Sequence, residues 1–374
     1  MIKATLLTPN LTVGGAERWV VDMVKHSPKQ LKWQNVVVSG FGGVDESLLR
    51  ELKPHTTLLR NQPAGPANAY TEYFEKIPPD SGLIDLLGYA TRDSQVLVTW
   101  GSCDLEFLFK KVSPKVKRVL CAHTTLQEAT PAPVTGITHL TAVSEAALAG
   151  FYKGRPGTGK LPKQVIYNGV SAERVTPTQS FTRISMREQW GFPPNAYVIG
   201  YIGRQSSEKN FMAAAEAARH GGKEIYVVYV GGKPHTDKID ETLKSYCAQY
   251  LPGRHKLIPP TTEIADILCA MDCLMLASAR EAFSLVLIEA WLAGIPVIAT
   301  PVGSVPELEK LFGLLVFRVP ANPQPNHLIY AVASARFDKG ERARYAKKVA
   351  EQHLTAKVMT NNWANYLQKV VTES

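Results

Sequence analysis

Two glutamates, Glu281 and Glu289, stand eight positions apart in a stretch whose pattern gives them a chemical setting. Residues 275–277 end a short apolar run that reads as a strand, and Glu281 falls in the loop after it. Residues 284–293 carry helical apolar spacing through Leu285, Ile288, Leu292 and Ala293, with Glu289 inside. Gly294 stops that helix, and residues 296–299 read as the next strand. Glu281 is thus expected at the carboxyl end of a strand, just before a helix N-terminus. Parallel α/β sheets bind ligands at the carboxyl ends of their strands. The free N–H groups of a helix N-terminus attract phosphate, so the backbone of Phe283, Ser284, Leu285 and Val286 is a candidate diphosphate cradle. Ionised carboxylates only accept hydrogen bonds, so the two glutamates would grip hydroxyls. Phosphate on amides and hydroxyls on carboxylates is what a sugar nucleotide requires. Alone, two glutamates at this spacing are ordinary surface charges.

A second constellation is Gly203-Arg204-Gln205-Ser206-Ser207-Glu208-Lys209-Asn210, between an expected strand at 197–202 and an expected helix at 211–218. A helix dipole favours cations at its other end, so Arg204 and Lys209 call for an anion there. Arg204 would fork onto phosphate oxygens and Lys209 would act as a point charge. Near the start, a strand at 2–8 leads into Gly14-Gly15 and a helix through Val24, which is either a phosphate cradle or a turn that needs glycine. Gly-x-Gly-x-x-Gly is absent, so the dinucleotide fingerprint is not met. His123 follows a strand at 116–122; a lone histidine is commonly structural, but a strand's carboxyl end is where a site would be.

Glu281, seven residues, Glu289-Ala290, then Gly294, Pro296, Val297 and Thr300 resemble the retaining glycosyltransferases of the GT-B fold, specifically glycosyltransferase family 4. Gly14-Gly15-Ala16-Glu17, the Gly-Arg-x4-Lys spacing at 203–209 and Asn168-Gly169-Val170 are similar to loops of that family. The likeness covers most of the chain, strongest over 200–307 and weak over 61–83. It implies an α/β GT-B protein: two facing Rossmann-like doubly wound domains, with the reaction in the cleft between them. It implies that Arg204 and Lys209 clamp the diphosphate, Glu281 holds the transferred sugar, and Glu289 holds the ribose. Gly14, Gly15, Gly203 and Gly231 would lie against the donor, the backbone of Leu257 and Ile258 near its base, and His123 near its sugar. The family usually has Gly-Phe-Gly after the first glutamate; here it is Ala282-Phe283-Ser284, which narrows the room near the sugar. The implied activity is retaining transfer of a hexose from a nucleotide-diphosphate sugar, with a UDP-sugar the expected donor, to a hydroxyl acceptor. No cofactor is implied beyond that co-substrate. No Asp-x-Asp occurs in the chain, so no metal site is expected.

Strand and helix patterns alternate along the chain, which argues for doubly wound sheets. Strands are expected at 33–40, 57–59, 95–100, 140–143, 165–167, 224–230, 256–258, 273–277 and 314–317. Ser144 and Asn326 are candidate helix caps. Residues 61–80 and 126–137 read as irregular, and 154–163 as a glycine-rich loop in a basic stretch. The expected domains are 1–170, completed by a closing helix at 355–374 and holding the acceptor, and 171–354, holding the nucleotide sugar, with a polar linker at 171–182. At 374 residues the chain has room for two cores.

The formal net charge is +9, spread over both halves, which suits anionic partners without choosing among them. The five cysteines form no Cys-x-x-Cys pair, and Cys269 and Cys273 are expected on one buried helical face. A reducing, cytoplasmic setting follows, and no apolar run is long enough to span a membrane. Peripheral contact with the inner face of an anionic membrane through Lys110, Lys111, Lys115, Lys117 and Arg118 is one expectation. The acceptor stays open: a cell-envelope glycan or lipid precursor first, DNA with hydroxymethylated bases second. A catalytically silent sugar-nucleotide-binding protein is the reading from a different class, with weight from Ala282 and Ser284.

Overall fold

The computed structural model describes residues 1–39, 43–61, 74, 82–100, 105–124, 135–153, 158–177, 183–233 and 238–373. Contacts divide the chain into two units, Met1–Gly169 with Ala356–Ser374, and Val170–Thr355. Most of the expected irregular stretches at 61–80 and 126–137, and part of that at 154–163, lie outside the described residues.

The first unit is built on continuous apolar runs, the signature of strands covered on both faces. β1 (Ile2–Thr8), β2 (Leu31–Val38), β3 (Thr57–Arg60), β4 (Val96–Trp100), β5 (Lys117–Ala122), β6 (His139–Ala142) and β7 (Lys163–Val165) form one sheet in the order β3-β2-β1-β4-β5-β6-β7. Its pairings are parallel. The helices include α1 (Gly15–Lys25), α2 (Glu46–Leu52), α3 (Leu83–Ala90), α4 (Leu105–Leu108) and α5 (Glu145–Lys153). Ser144 caps α5, its hydroxyl accepting from the Ala147 amide at 2.9 Å. The buried Arg18 of α1 reaches both Glu51 oxygens, at 2.6 and 2.8 Å, and so fixes α1 against α2. The strand expected at 165–167 pairs two residues earlier, as β7.

The second unit pairs β8 (Tyr197–Ile202), β9 (Ile225–Val230), β10 (His255–Ile258), β11 (Cys273–Leu276), β12 (Val297–Ala299) and β13 (Phe317–Arg318) in the order β10-β9-β8-β11-β12-β13, again in parallel. Its helices are α6 (Arg183–Gln189), α7 (Ala213–His220), α8 (Glu241–Tyr250), α9 (Ala265–Cys269), α10 (Leu285–Leu292), α11 (Val305–Phe312), α12 (Pro325–Phe337) and α13 (Glu341–His353) among the described residues. Five buried alanines let α7 sit close on the sheet, where the buried Tyr229 hydroxyl donates to Phe211 O and accepts from the Ala215 amide. Both sheets are Rossmann-like and doubly wound, each reversing strand order at one switch point: β1/β4 in the first, β8/β11 in the second.

Helix α11 occupies residues to which the sequence assigned no element; Pro306 lies in its first turn, where proline's missing N–H and fixed φ cost nothing. Three local expectations need correction. The segment read as polar linker contains a 3-10 turn, Ala172–Val175. Cys269 ends α9 and Cys273 begins β11, so they share no helical face. The N-cap of α12 is Gln324, in a capping box with His327, while Asn326 accepts from the adjacent His327 amide.

The chain leaves the first unit after Gly169 and returns at Ala356, with Val170 and Thr355 bridged in parallel. The returning helix α14 (Ala356–Thr372) packs on the first unit. Its Trp363, fully buried, stands 5.7 Å from the Trp19 ring of α1, and Thr360 donates to His26 O at 2.7 Å. Trp363→Ala should therefore destabilise the first unit by about 3–5 kcal/mol. Trp363→Phe, which keeps the ring contact, should cost far less. Urea unfolding of both variants checks this; equal midpoints would remove α14 from the core.

Candidate functional site

The switch point of the second sheet gathers the residues whose chemistry the sequence pointed to. The loop leaving β8 and the loop leaving β11 flank it, as ligand crevices of open α/β sheets require. Gly203 has φ +153, and its amide donates to Val230 O at 2.9 Å. Gly231 has φ +128, and a Cβ there would stand 2.1 Å from Gly203 O. Two chain segments cross at backbone contact, so glycine at 231 is a steric demand. The Gly231 amide in turn donates to Ile258 O at 3.0 Å, with Leu257 and Ile258 half-buried. Gln205, a residue the sequence gave no reason to single out, holds this junction. Its buried side chain donates to Gly231 O at 3.0 Å and accepts from the Asp240 amide at 2.6 Å.

Beyond Gln205 the chain makes a 3-10 turn, Ser207–Lys209, closed by Asn210 in the left-handed region at φ 44. That turn is tied to the other loop, since the Ala279 amide donates to Glu208 O at 2.8 Å. The side chains then meet: Lys209 Nζ is 2.8 Å from Glu281 Oε2, and Ser278 Oγ donates to Glu281 Oε1 at 2.8 Å. Thr300 holds Ser278 by donating to its carbonyl. Gly303, at φ +60, lets its backbone lie under Glu281, where a Cβ would be 2.8 Å from Glu281 O. Both carboxylate oxygens of Glu281 are therefore engaged, and its orientation is set from two loops. Arg204 lies outward, with a side chain 60% exposed and Nη2 3.7 Å from Glu208 Oε1. Burial raises the Glu208 carboxyl pKa, but the Ser206 hydroxyl, its own amide and the charges of Arg204 and Lys209 outweigh that and hold it below the ordinary range.

A small pocket adjoins Glu281, lined also by Ser284, Thr300, Val302 and Ser304. Ser284 is the N-cap of α10, yet its side chain makes no capping bond. Phe283 and Leu285 are buried, Ala282 and Val286 half-buried, so this segment offers backbone N–H groups more than side chains. Glu289 lies inside α10, as its spacing suggested. It is 1% exposed within α10, and Arg174 Nη2 is 3.1 Å from its Oε1. Its carboxylate is paired with a cation from the 3-10 turn at 172–175.

In the first unit, Gly14 and Gly15 are exposed at the start of α1. Gly14 is extended at φ −169, a conformation open to any residue, so its backbone does not demand glycine. The buried Glu17 folds back toward it; a Cβ on Gly14 would lie 2.3 Å from Glu17 Oε2. The half-buried His123 lies beside two tryptophans, 4.6 Å from Trp19 edge-on and 5.7 Å from Trp100. Its Nε2 is covered and has no partner among the described residues. Burial pushes the His123 pKa down to about 3, so the ring is neutral at pH 7. Of the five cations expected at a membrane, Lys117 donates to Glu373 O and Arg118 to Gly136 O and Val116 O, so both are committed to the fold. Lys110 lies over the exposed Phe107 ring at 4.5 Å. Among the described residues no cluster of His, Cys, Asp or Glu forms a metal-ligand group, and no helix is long and apolar enough to cross a membrane.

Two Rossmann-like parallel sheets with this site at a switch point define the GT-B class of fold. The chain superimposes on the Anabaena protein HepE in complex with UDP-glucose at TM-score 0.78, with 19% identity over 99% of this chain and 100% of that one. It also superimposes on WaaG, a glycosyltransferase involved in lipopolysaccharide biosynthesis, at TM-score 0.67 and 14% identity, covering 100% of both chains. At those identities the likeness establishes fold alone. Residues 182–352 match the family model for Glycosyl transferases group 1, and the second unit belongs to that family. Among curated relatives, a D-inositol 3-phosphate glycosyltransferase of Corynebacterium jeikeium is 29% identical over 38% of this chain and 36% of its own length. An alpha-maltose-1-phosphate synthase of Mycolicibacterium smegmatis is 26% identical over 41% of each. The matched segment spans well under half of either relative.

Two expectations follow from the geometry. Gly231→Ala forces a Cβ into the Gly203 carbonyl and should destabilise the second unit by more than about 1 kcal/mol, read as a lower urea midpoint. The unfolded chain protonates His123 below its ordinary pKa of 6.5, whereas the folded chain resists to about 3. Stability should fall as pH drops through that window, by up to about 1.4 kcal/mol per pH unit. Urea unfolding at pH 7 and pH 5 should show a smaller acid loss in His123→Phe than in the parent chain; equal losses would contradict the buried neutral ring.

Proposed function

We propose that the chain is a metal-independent retaining glycosyltransferase that moves a sugar from a UDP-sugar to a hydroxyl acceptor. The observation that carries this reading is the Lys209–Glu281 pair at the switch point of a Glycosyl transferases group 1 domain, with Arg204 beside it. Breaking a sugar–phosphate bond builds negative charge on the leaving diphosphate and positive charge at the anomeric carbon. Arg204, exposed, and Lys209 supply the countercharge to the diphosphate, together with the N–H groups opening α10. Glu281, already fixed by Ser278 and Lys209, accepts from sugar hydroxyls and keeps the anomeric carbon in place. Lys209, at 2.8 Å from Glu281, joins the group that holds the sugar to the group that holds the phosphate. The two cations supply the charge neutralisation that a metal supplies in other transferases. Attack on the face the diphosphate leaves, with that diphosphate as base, retains configuration and needs no protein nucleophile.

UDP and UDP-glucose occur in the structures of HepE, which supports a uridine nucleotide as the donor. The first unit is assigned to the acceptor. A cell-envelope glycan or lipid precursor is the acceptor class we favour, with the chain peripheral at the cytoplasmic face of the membrane. The specific support is the exposed aromatic and basic side chains Tyr89, Phe107 and Lys110.

UDP-glucose should raise the unfolding temperature of the purified protein. Lys209→Ala and Glu281→Ala should each lower transfer by about 10²–10³-fold. Their unfolding midpoints should stay within about 1 kcal/mol of the parent, because a part-exposed pair contributes little to stability. Full activity in either variant would remove the assignment. Mass spectrometry of products with lipid, glycan and hydroxymethylated DNA acceptors separates the acceptor classes. Donor binding without turnover on any of them would identify a silent binding protein.

A further inference from the structure

The first sheet reverses its strand order between β1 and β4, and the carboxyl ends of those strands carry a constellation of their own. Trp100 ends β4 there, half-buried, and its indole N–H donates to the Thr8 hydroxyl of β1 at 3.2 Å. Thr8 passes the bond on, donating to Asn10 O at 2.7 Å. An indole has one donor and no acceptor, and that donor is spent. What Trp100 still offers a ligand is ring surface. The polar groups nearby are uncharged. Asn10 Oδ1 and His123 Nε2 are covered and have no partner among the described residues, and the His123 ring stands 5.7 Å from the indole.

The helix that follows β1 adds a fixed negative charge. Glu17, in the first turn of α1, is 8% exposed, and its carboxylate folds back onto Gly14 at the helix N-terminus. That end of a helix is where a bound phosphate would be stabilised. Here a carboxylate occupies it, so a second anion meets like charge among buried groups, where charges are poorly screened. Arg18, the neighbouring cation, is engaged by Glu51 and Asp22.

We propose that the acceptor binds at this switch point as an uncharged, hydroxyl-rich ring, a pyranose or cyclitol without phosphate, stacked on Trp100. The inference rests on the reading above that the first unit holds the acceptor, and it narrows that reading to a substrate class. Such a ring is apolar on the face its axial C–H groups line and polar round its edge. The face packs on the indole. Edge hydroxyls donate to Asn10 Oδ1 and bond the His123 ring, which burial keeps neutral, so both covered atoms gain partners. A phosphorylated ring brings the same face but is repelled by Glu17.

The test is ligand-observed NMR titration of the full chain with UDP present. The probes are two matched pairs: methyl β-D-glucopyranoside with its 6-phosphate, and myo-inositol with inositol 3-phosphate. The parent should bind the neutral member of at least one pair about tenfold more tightly. In Glu17→Gln, which keeps the shape and removes the charge, that ratio should fall to within about twofold. Trp100→Ala should weaken the neutral ligand about tenfold while UDP affinity, read by calorimetry, stays unchanged. Trp100→Phe keeps a stacking ring and should stay within about threefold of the parent; it also serves if Trp100→Ala fails to fold. A purely structural Trp100 would lower the unfolding midpoint and leave the sugar affinity of the folded protein as in the parent, which overturns the proposal. A preference for the phosphorylated members, an unchanged ratio in Glu17→Gln, or binding of no sugar at all overturns it too. In each of those cases UDP still binds and the transferase reading survives. If UDP itself does not bind, that reading falls and takes this inference with it.

Discussion

An ion pair between two loops, Lys209 with Glu281, is the interaction on which the second unit's site depends. It joins the segment after β8 to the segment after β11 at the place where the sheet reverses direction. Everything nearby serves to hold those two charges at contact distance. Gln205 and Gly231 seat the first loop, Ser278, Thr300 and Gly303 seat the second, and the Ala279 amide ties one to the other. A cation and a carboxylate in contact can meet an anionic group and a hydroxyl donor side by side.

The first unit has a different chemical character. At its sheet's carboxyl edge the tryptophans Trp19 and Trp100 enclose an imidazole that burial keeps neutral. A neutral ring donates with one nitrogen and accepts with the other, so it suits a hydroxyl better than a phosphate. Trp19 also packs on Trp363, so the helix that returns from the second unit helps set the position of that ring. Core packing and site geometry are thus shared by the same side chain.

The doubly wound sheets were legible because buried parallel strands are written as apolar runs, and their alternation with amphipathic stretches survives any detail of packing. Helix α11 was hidden because Pro301, Gly303 and Pro306 look like breakers in sequence, while only the fold shows that Pro306 opens a helix. The turn at 172–175 was hidden because its stability comes from packing on α10 rather than from local pattern. The placement of Arg204, Lys209 and Glu281 in loops after strands was legible from residue type and strand pattern. Gln205 and Gly303 were not, since each acts through a contact with residues more than twenty positions away, and Ser278 was not, since its contact with Glu281 follows from how the loop folds.

The order of residues by itself determined which side chains stand at the carboxyl ends of strands, because strand polarity and loop position are local properties of the chain. It determined that two cations and one carboxylate would occupy such positions in the second half, with a second carboxylate inside the helix that follows. Tertiary structure decided how they pair: Glu281 with Lys209, and Glu289 with Arg174 rather than with open solvent. Pairing and burial depend on which loops the sheet order makes neighbours, and hydrogen-bond partners more than sixty residues apart leave no periodic trace in a sequence.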